Sequence, residues 1–325
     1  MKKIRILAVL SAFALASLAS CGGNQKTIAI VQLMTHTSLD EINEAIVKTL
    51  EGSDVYRNSG YSLVQENPEG DMSILSQTMA KLNETADIVV AIATPVAQTA
   101  YNKLSSDKSI VFAACSDPIG SGIVRNLEKP GENITGTSDA IQVKSIIDKA
   151  LLIDPDLDEL GFIYNPMEAN SVANKVKIED YCKEKNISLI SSMISNSKEM
   201  SEVANVLSNK VDAIFVTDDN TVASSMPSLV AATKKAGIPC YTGVESMVRD
   251  GGMYCLGINY GELGKKTGEM VLDILSGTKA GDIPVKIFDD NLNSYLNIDY
   301  INETGIKIPS SIMDDPYLVK ISGDK

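Results

Sequence analysis

Four short polar stretches hold residue types that could do chemistry: Ala93-Thr94-Pro95, Ser116-Asp117-Pro118, Tyr164-Asn165-Pro166-Met167-Glu168 and Thr217-Asp218-Asp219-Asn220-Thr221. Thr, Asn and Asp are the side chains that start helices, and proline suits the first helical position because its missing amide would have no partner there. The free amides of a helix start, with a hydroxyl beside them, suit an anionic group, whereas Asp117, Asp218 and Asp219 suit an ammonium. Together they suit a zwitterion. Any one of these residues could do no more than cap its own helix; four such ends meeting in one crevice would make a site.

Other chemistries find little support. His36 is the one histidine, so general-base chemistry of the usual kind is poorly supplied, and no Gly-x-Ser-x-Gly elbow occurs. Gly120-Ser121-Gly122 is too short for a dinucleotide fingerprint. Gly264-Lys265-Lys266-Thr267 imitates a phosphate loop, but Asn259 stands where its first glycine belongs and a lysine follows the key lysine. No cysteine has metal-ligand spacing, so neither a metal nor a cofactor is expected. With 29 basic against 42 acidic side chains the chain repels phosphate backbones, which argues against nucleic acid. His36 precedes the first helix, either at the cleft or on an exposed loop.

The elements that would position these stretches alternate. Apolar strand-like runs at 27–32, 61–65, 88–93 and 110–114 are separated by helical stretches at 39–52, 72–82 and 95–104. Ser38-Leu39-Asp40-Glu41 reads as a capping box for the first helix. A second run follows, with strands at 160–164, 188–193, 213–216 and 239–242 and helices at 167–183, 198–208 and 220–236, the last broken near Met226 by Pro227. Residues 254–260, 294–298 and 305–309 are strand-like, and a helix is expected over 262–275. Alternation of this kind makes parallel sheets covered by helices, which bind ligands at the carboxyl ends of their strands. The expected fold class is therefore α/β, with two doubly wound, Rossmann-like lobes. We place lobe 1 at 27–137 plus 260–288 and lobe 2 at 138–259 plus 289–325, joined by three strand-like crossings acting as a hinge.

Residues 1–20 carry Lys2, Lys3 and Arg5 before an apolar run over 6–18, the pattern of a secretory signal peptide. Leu18-Ala19-Ser20-Cys21 resembles the lipobox of bacterial lipoproteins, which implies lipidation of Cys21, a short tether at 21–26 and an extracytoplasmic, membrane-anchored domain. Cys240 and Cys255 could pair, though buried free thiols are the expectation for all four later cysteines.

Eight blocks carry a wider resemblance: Gly70-Asp71-Met72, 92–98, Ser116-Asp117-Pro118-Ile119-Gly120, Gly136-Thr137-Ser138-Asp139, Tyr164-Asn165-Pro166, Glu168-Ala169-Asn170-Ser171, 219–223 and Glu262-Leu263-Gly264. In this order they resemble the ABC-transporter substrate-binding proteins that include tryptophan- and tyrosine-binding lipoproteins. The resemblance implies the type I periplasmic-binding fold, closure of two lobes on a small ligand, a monomer, and delivery to an ABC permease. It points to Thr94, Ser116 and Asp117 from the first lobe, and to Asn165, Glu168, Asn170, Ser171, Asp219, Asn220, Thr221 and Glu245 from the second, with Asp219 as the ammonium partner. Cys115 and Thr217-Asp218 depart from the family pattern at the pocket. A stacking ring would come from Tyr164, Tyr241, Tyr260 or a phenylalanine. A nucleoside or sugar ligand, or a surface receptor or adhesin without transport, stays open beside an amino acid.

Overall fold

The structure, a computed structural model, describes residues 26–131, 133–289 and 292–323. The signal peptide and Cys21 lie outside the described residues. Among the described residues thirteen strands make two sheets. The first contains β1 (Thr27–Gln32), β2 (Ser62–Glu66), β3 (Ile88–Ile92), β4 (Ser109–Ala113), β5 (Ile134–Ser138) and β11 (Lys286–Ile287), and the second contains β6 (Glu159–Tyr164), β7 (Ser188–Met193), β8 (Ala213–Val216), β9 (Cys240–Thr242), β10 (Tyr254–Gly257), β12 (Asn293–Asn297) and β13 (Leu318–Ile321). The strand orders are β11-β5-β4-β3-β1-β2 and β13-β12-β10-β9-β8-β6-β7. All pairs are parallel except β10 with β12.

Central strands buried on both faces must be apolar throughout. β3 is Ile-Val-Val-Ala-Ile and β8 is Ala-Ile-Phe-Val, each buried along its whole length. Edge strands differ for the same reason: β7, Ser-Leu-Ile-Ser-Ser-Met, has no fully buried residue.

The chain passes between the sheets three times, after β5, after β10 and after β11. The helix Tyr260–Leu275 returns to the first sheet by lying on the helix Thr37–Glu51. A side chain at Gly264 would stand 2.5 Å from the Ile42 carbonyl, so only glycine allows this approach. Thr267 of the same helix meets Thr137 of β5, hydroxyl to hydroxyl, at 2.8 Å. Cys115, Cys182, Cys240 and Cys255 are buried free thiols.

Several local expectations change. No side chain caps the helix Thr37–Glu51. The capping box does not form, because Ser38 and Glu41 turn to the opposite lobe instead: Ser38 Oγ lies 2.5 Å from Ser246 Oγ, and Glu41 accepts from Arg249 at 2.5 Å. Thr94 does not cap its helix either; the preceding residue, Ala93, holds that place at φ 84°. At Asn165-Pro166 the side chain of Asn165 accepts the Met167 amide at 2.9 Å, a turn that delays the next helix to Ala169. Asp117 closes a turn by accepting the Gly120 amide at 2.8 Å, and no helix starts there. Residues 305–309 are not a strand; β13 takes the sheet edge beside β12. Asn220–Ala223 and Met226–Ala236 are separate helices, broken ahead of Pro227 as its ring requires.

Candidate functional site

The carboxyl ends of β1, β3, β4, β5, β8 and β9 meet between the two lobes. The cleft there is narrow, with only about 20 Å3 open to the centre of a water-sized sphere. His36, Thr94, Asp139, Asn170, Asp218, Asn220 and Tyr260 supply its polar lining, and Leu39, Ala223, Val244 and Met247 its apolar part. Ala93 and Ala114 also line it, each at positive φ, 84° and 52°. Alanine in this region is strained, and such strain is held where the surrounding sheet dictates the turn, commonly at a ligand site.

Hydrogen bonds across the cleft hold the lobes together. Ser116, after β4, donates to Asp218, after β8. His36 Nε2 lies 3.1 Å from Asn220 Oδ1, and Thr37 donates to Asp250 at 2.8 Å. Arg249 bridges Glu41 of the first lobe at 2.5 Å and Glu245 of its own helix at 2.8 Å.

Asp218 and Asp139 are the carboxylates of the cleft. Asp218 accepts from Ser116, from Asn170 Nδ2 at 3.2 Å and from Asn174 Nδ2 at 2.7 Å. Asp139, 4 % exposed, accepts from the Tyr260 hydroxyl at 2.8 Å through one oxygen, while the other is buried without a partner. Burial, then the charge of Asp218, pushes the Asp139 carboxyl up to about 7. Asp139, buried, and Asp218, half-buried, repel each other, and an incoming cation would relieve both.

Behind this pair lies a closed network. Glu168 accepts from Asn220 N at 3.0 Å, Asn220 Nδ2 at 2.5 Å, and Thr221 N and Oγ1 at 3.0 Å each. Burial foremost, then the charge of Asp219, raises it to about 8. Asp219 caps the helix Asn220–Ala223 through Val222 N at 3.0 Å and takes Asn165 N at 2.6 Å. Asn165 Nδ2 donates to Thr221 Oγ1 at 2.8 Å, and Ser171 is fully buried.

Of the residues singled out in the sequence, Thr94, Asn170 and Asn220 therefore line the cleft, and Ser116 reaches it through Asp218. Asn165, Glu168, Ser171, Asp219 and Thr221 form its buried support. Asp117 and Glu245 lie outside the lining, Glu245 serving the Arg249 bridge. Asp219, expected to face an ammonium, has both oxygens turned to backbone amides; Asp218 and Asp139 hold the cleft positions. Asp139 stands in the Gly136-Thr137-Ser138-Asp139 block, but nothing local to the sequence distinguishes it from a polar strand end. Tyr260 lines the cleft among the ring candidates, while Tyr241 is buried against Tyr254 and Tyr164 stacks on Phe162 with centroids 5.4 Å apart.

Comparison with known proteins places this geometry in a family. The model of the ABC transporter substrate binding protein family matches residues 27–320. A tyrosine-binding protein of Clostridioides difficile is 34% identical over 267 residues, covering 82% of this chain and 77% of that one. A structure from Streptococcus pneumoniae described as an ABC domain in complex with L-Trp aligns with TM-score 0.85 at 31% identity, over 91% of this chain and 100% of that one. A ligand-free, open substrate-binding protein with adhesive properties from Clostridium difficile has 32% identity over 91% of this chain and 99% of that one, yet a TM-score of 0.67. The lower structural match at similar identity goes with that chain's description as open, whereas here hydrogen bonds cross the cleft. The chain belongs to the ABC transporter substrate-binding protein family.

Proposed function

We propose that the protein is the extracytoplasmic, lipid-anchored binding component of an ABC importer, taking one amino acid per chain, an aromatic one by preference, and handing it to a membrane permease. The observation that carries the ligand class is the pair Asp139 and Asp218, lining the cleft beside the start of the helix Thr94–Lys103. The aspartates would take the α-ammonium. The Thr94 hydroxyl, whose partner is the Cys115 sulfur at 3.6 Å, and the uncapped helix start would take the carboxylate. Leu39, Val244, Met247 and the Tyr260 ring offer an apolar wall to the side chain. That relatives are described as tyrosine-binding and as complexed with L-Trp supports the aromatic preference.

Thermal-shift screening of the twenty amino acids, nucleosides and sugars tests the ligand class. An aromatic amino acid should raise the melting temperature most, and a rise with sugars or nucleosides alone would refute the zwitterion argument. The anchor rests on Leu18-Ala19-Ser20-Cys21. Cys21→Ala should abolish lipid labelling and release the protein from membranes; retention in the membrane fraction would refute it. Among the described residues no helix is long and apolar enough to cross a membrane.

A further inference from the structure

The cleft lining joins the polar Thr94, Asp139, Asp218 and Asn170 to His36 and the apolar Leu39, Ala223 and Met247. His36 meets Asn220, one turn before Ala223, and Ser38 meets Ser246, beside Met247.

A chain of hydrogen bonds fixes the form of the His36 imidazole. Four donors converge on the Glu168 carboxyl, among them Asn220 Nδ2 at 2.5 Å. Asn220 must therefore present its oxygen to His36, and Nε2 of the ring must carry the hydrogen of that 3.1 Å bond. Burial foremost keeps the ring from taking a second proton, and the carboxylate acting on it is that of Asp40. Nδ1 is left as a lone pair, buried and without a partner, on a side chain only 9% exposed that lines the cleft.

A buried lone pair repels a carboxylate and gains nothing from a C–H group, so an N–H or O–H donor is what it lacks. In the amino-acid reading the ammonium is taken by Asp139 and Asp218. We infer that His36 Nδ1 accepts a hydrogen bond from a donor on the ligand's side chain, making His36 the residue that selects a phenol or indole ring over an unsubstituted one. This rests on the amino-acid reading above and narrows it to a side-chain class.

Titration calorimetry with tyrosine, tryptophan, phenylalanine and 4-methylphenylalanine, which fills the phenol position without a donor, tests it. The wild-type protein should bind tyrosine or tryptophan at least about tenfold more tightly than the two donor-free rings, since the donor-free complexes leave Nδ1 unpaired. His36→Leu should bring that ratio to within about threefold. The substitution also removes the Asn220 bond and so weakens binding of every ligand, which moves all affinities together and leaves the ratio as the informative quantity. A wild-type ratio near one, or a ratio that His36→Leu leaves intact, overturns the inference. Should His36→Leu fail to fold, His36→Phe takes its place in the same comparison. Failure of all four to bind would refute the amino-acid reading itself, whereas tight binding with a flat ratio refutes only the role of His36.

Discussion

Asp218 and Asp219 are adjacent in sequence and serve opposite sides of the same strand end. Asp218 receives the Ser116 hydroxyl from the other lobe, while Asp219 is closed by the amides of Asn165 and Val222 at 2.6 and 3.0 Å. The turn between β8 and the helix Asn220–Ala223 sends one carboxylate into the cleft and the other into the wall behind it. The two should fail in different ways.

Asp218→Asn should weaken amino-acid binding at least about tenfold with little change in melting temperature, because a charge facing the ligand is lost and its shape kept. Asp219→Ala should lower stability by about 1–2 kcal/mol through loss of a helix cap. Calorimetry and denaturant unfolding on the same two variants check both, and a reversed pattern would return the ammonium to Asp219.

Glu168 collects four donors in a buried place. Glu168→Ala leaves all of them unpaired and should cost about 3 kcal/mol in denaturant unfolding. Glu168→Gln keeps one acceptor oxygen but turns its NH2 toward a backbone amide, since Asn220 N and Thr221 N bond different carboxyl oxygens, so it should cost less than Glu168→Ala without being neutral; equal losses would show that both oxygens are needed.

Stability of the ligand-free protein should fall as pH rises from about 4 to 7. Asp139 titrates near its ordinary value when unfolded and at about 7 when folded, so the folded state holds the extra proton across that window and each rise in pH favours unfolding. An ammonium ligand favours the ionised carboxylate, so the rise in melting temperature it produces should be larger at pH 8 than at pH 5.5. Thermal melts with and without ligand check this, and Asp139→Asn should flatten the contrast.

Arg249 joins the lobes through Glu41. Arg249→Ala should shift the protein toward the open form, visible as a larger radius of gyration in solution scattering. The affinity loss should be only a few-fold, since the pair is partly exposed and worth about 0.5–1 kcal/mol. High salt should mimic the substitution in the wild type and add little to the variant.

The alternation of apolar strands with helices was legible because each element announces itself locally: β3 and β8 are apolar throughout, and Pro227 breaks its helix wherever it is placed. The polar strand ends were legible too, since Thr94, Asn170 and Asn220 line the cleft. Which way a side chain faces there was not. Ser38 and Glu41 spell a capping box in sequence, yet Ser246 and Arg249, about two hundred residues on, offered better partners once the lobes met. Asp218 and Asp219 carry the same group, and only the packing around the end of β8 separates cleft lining from cap. The sequence by itself determined the strands, the helices and the chemical types gathered at their ends, because those follow from local periodicity and propensity. The tertiary structure alone decided that Asp139, Asp218 and His36 share one cleft, because that depends on lobe closure between segments far apart along the chain.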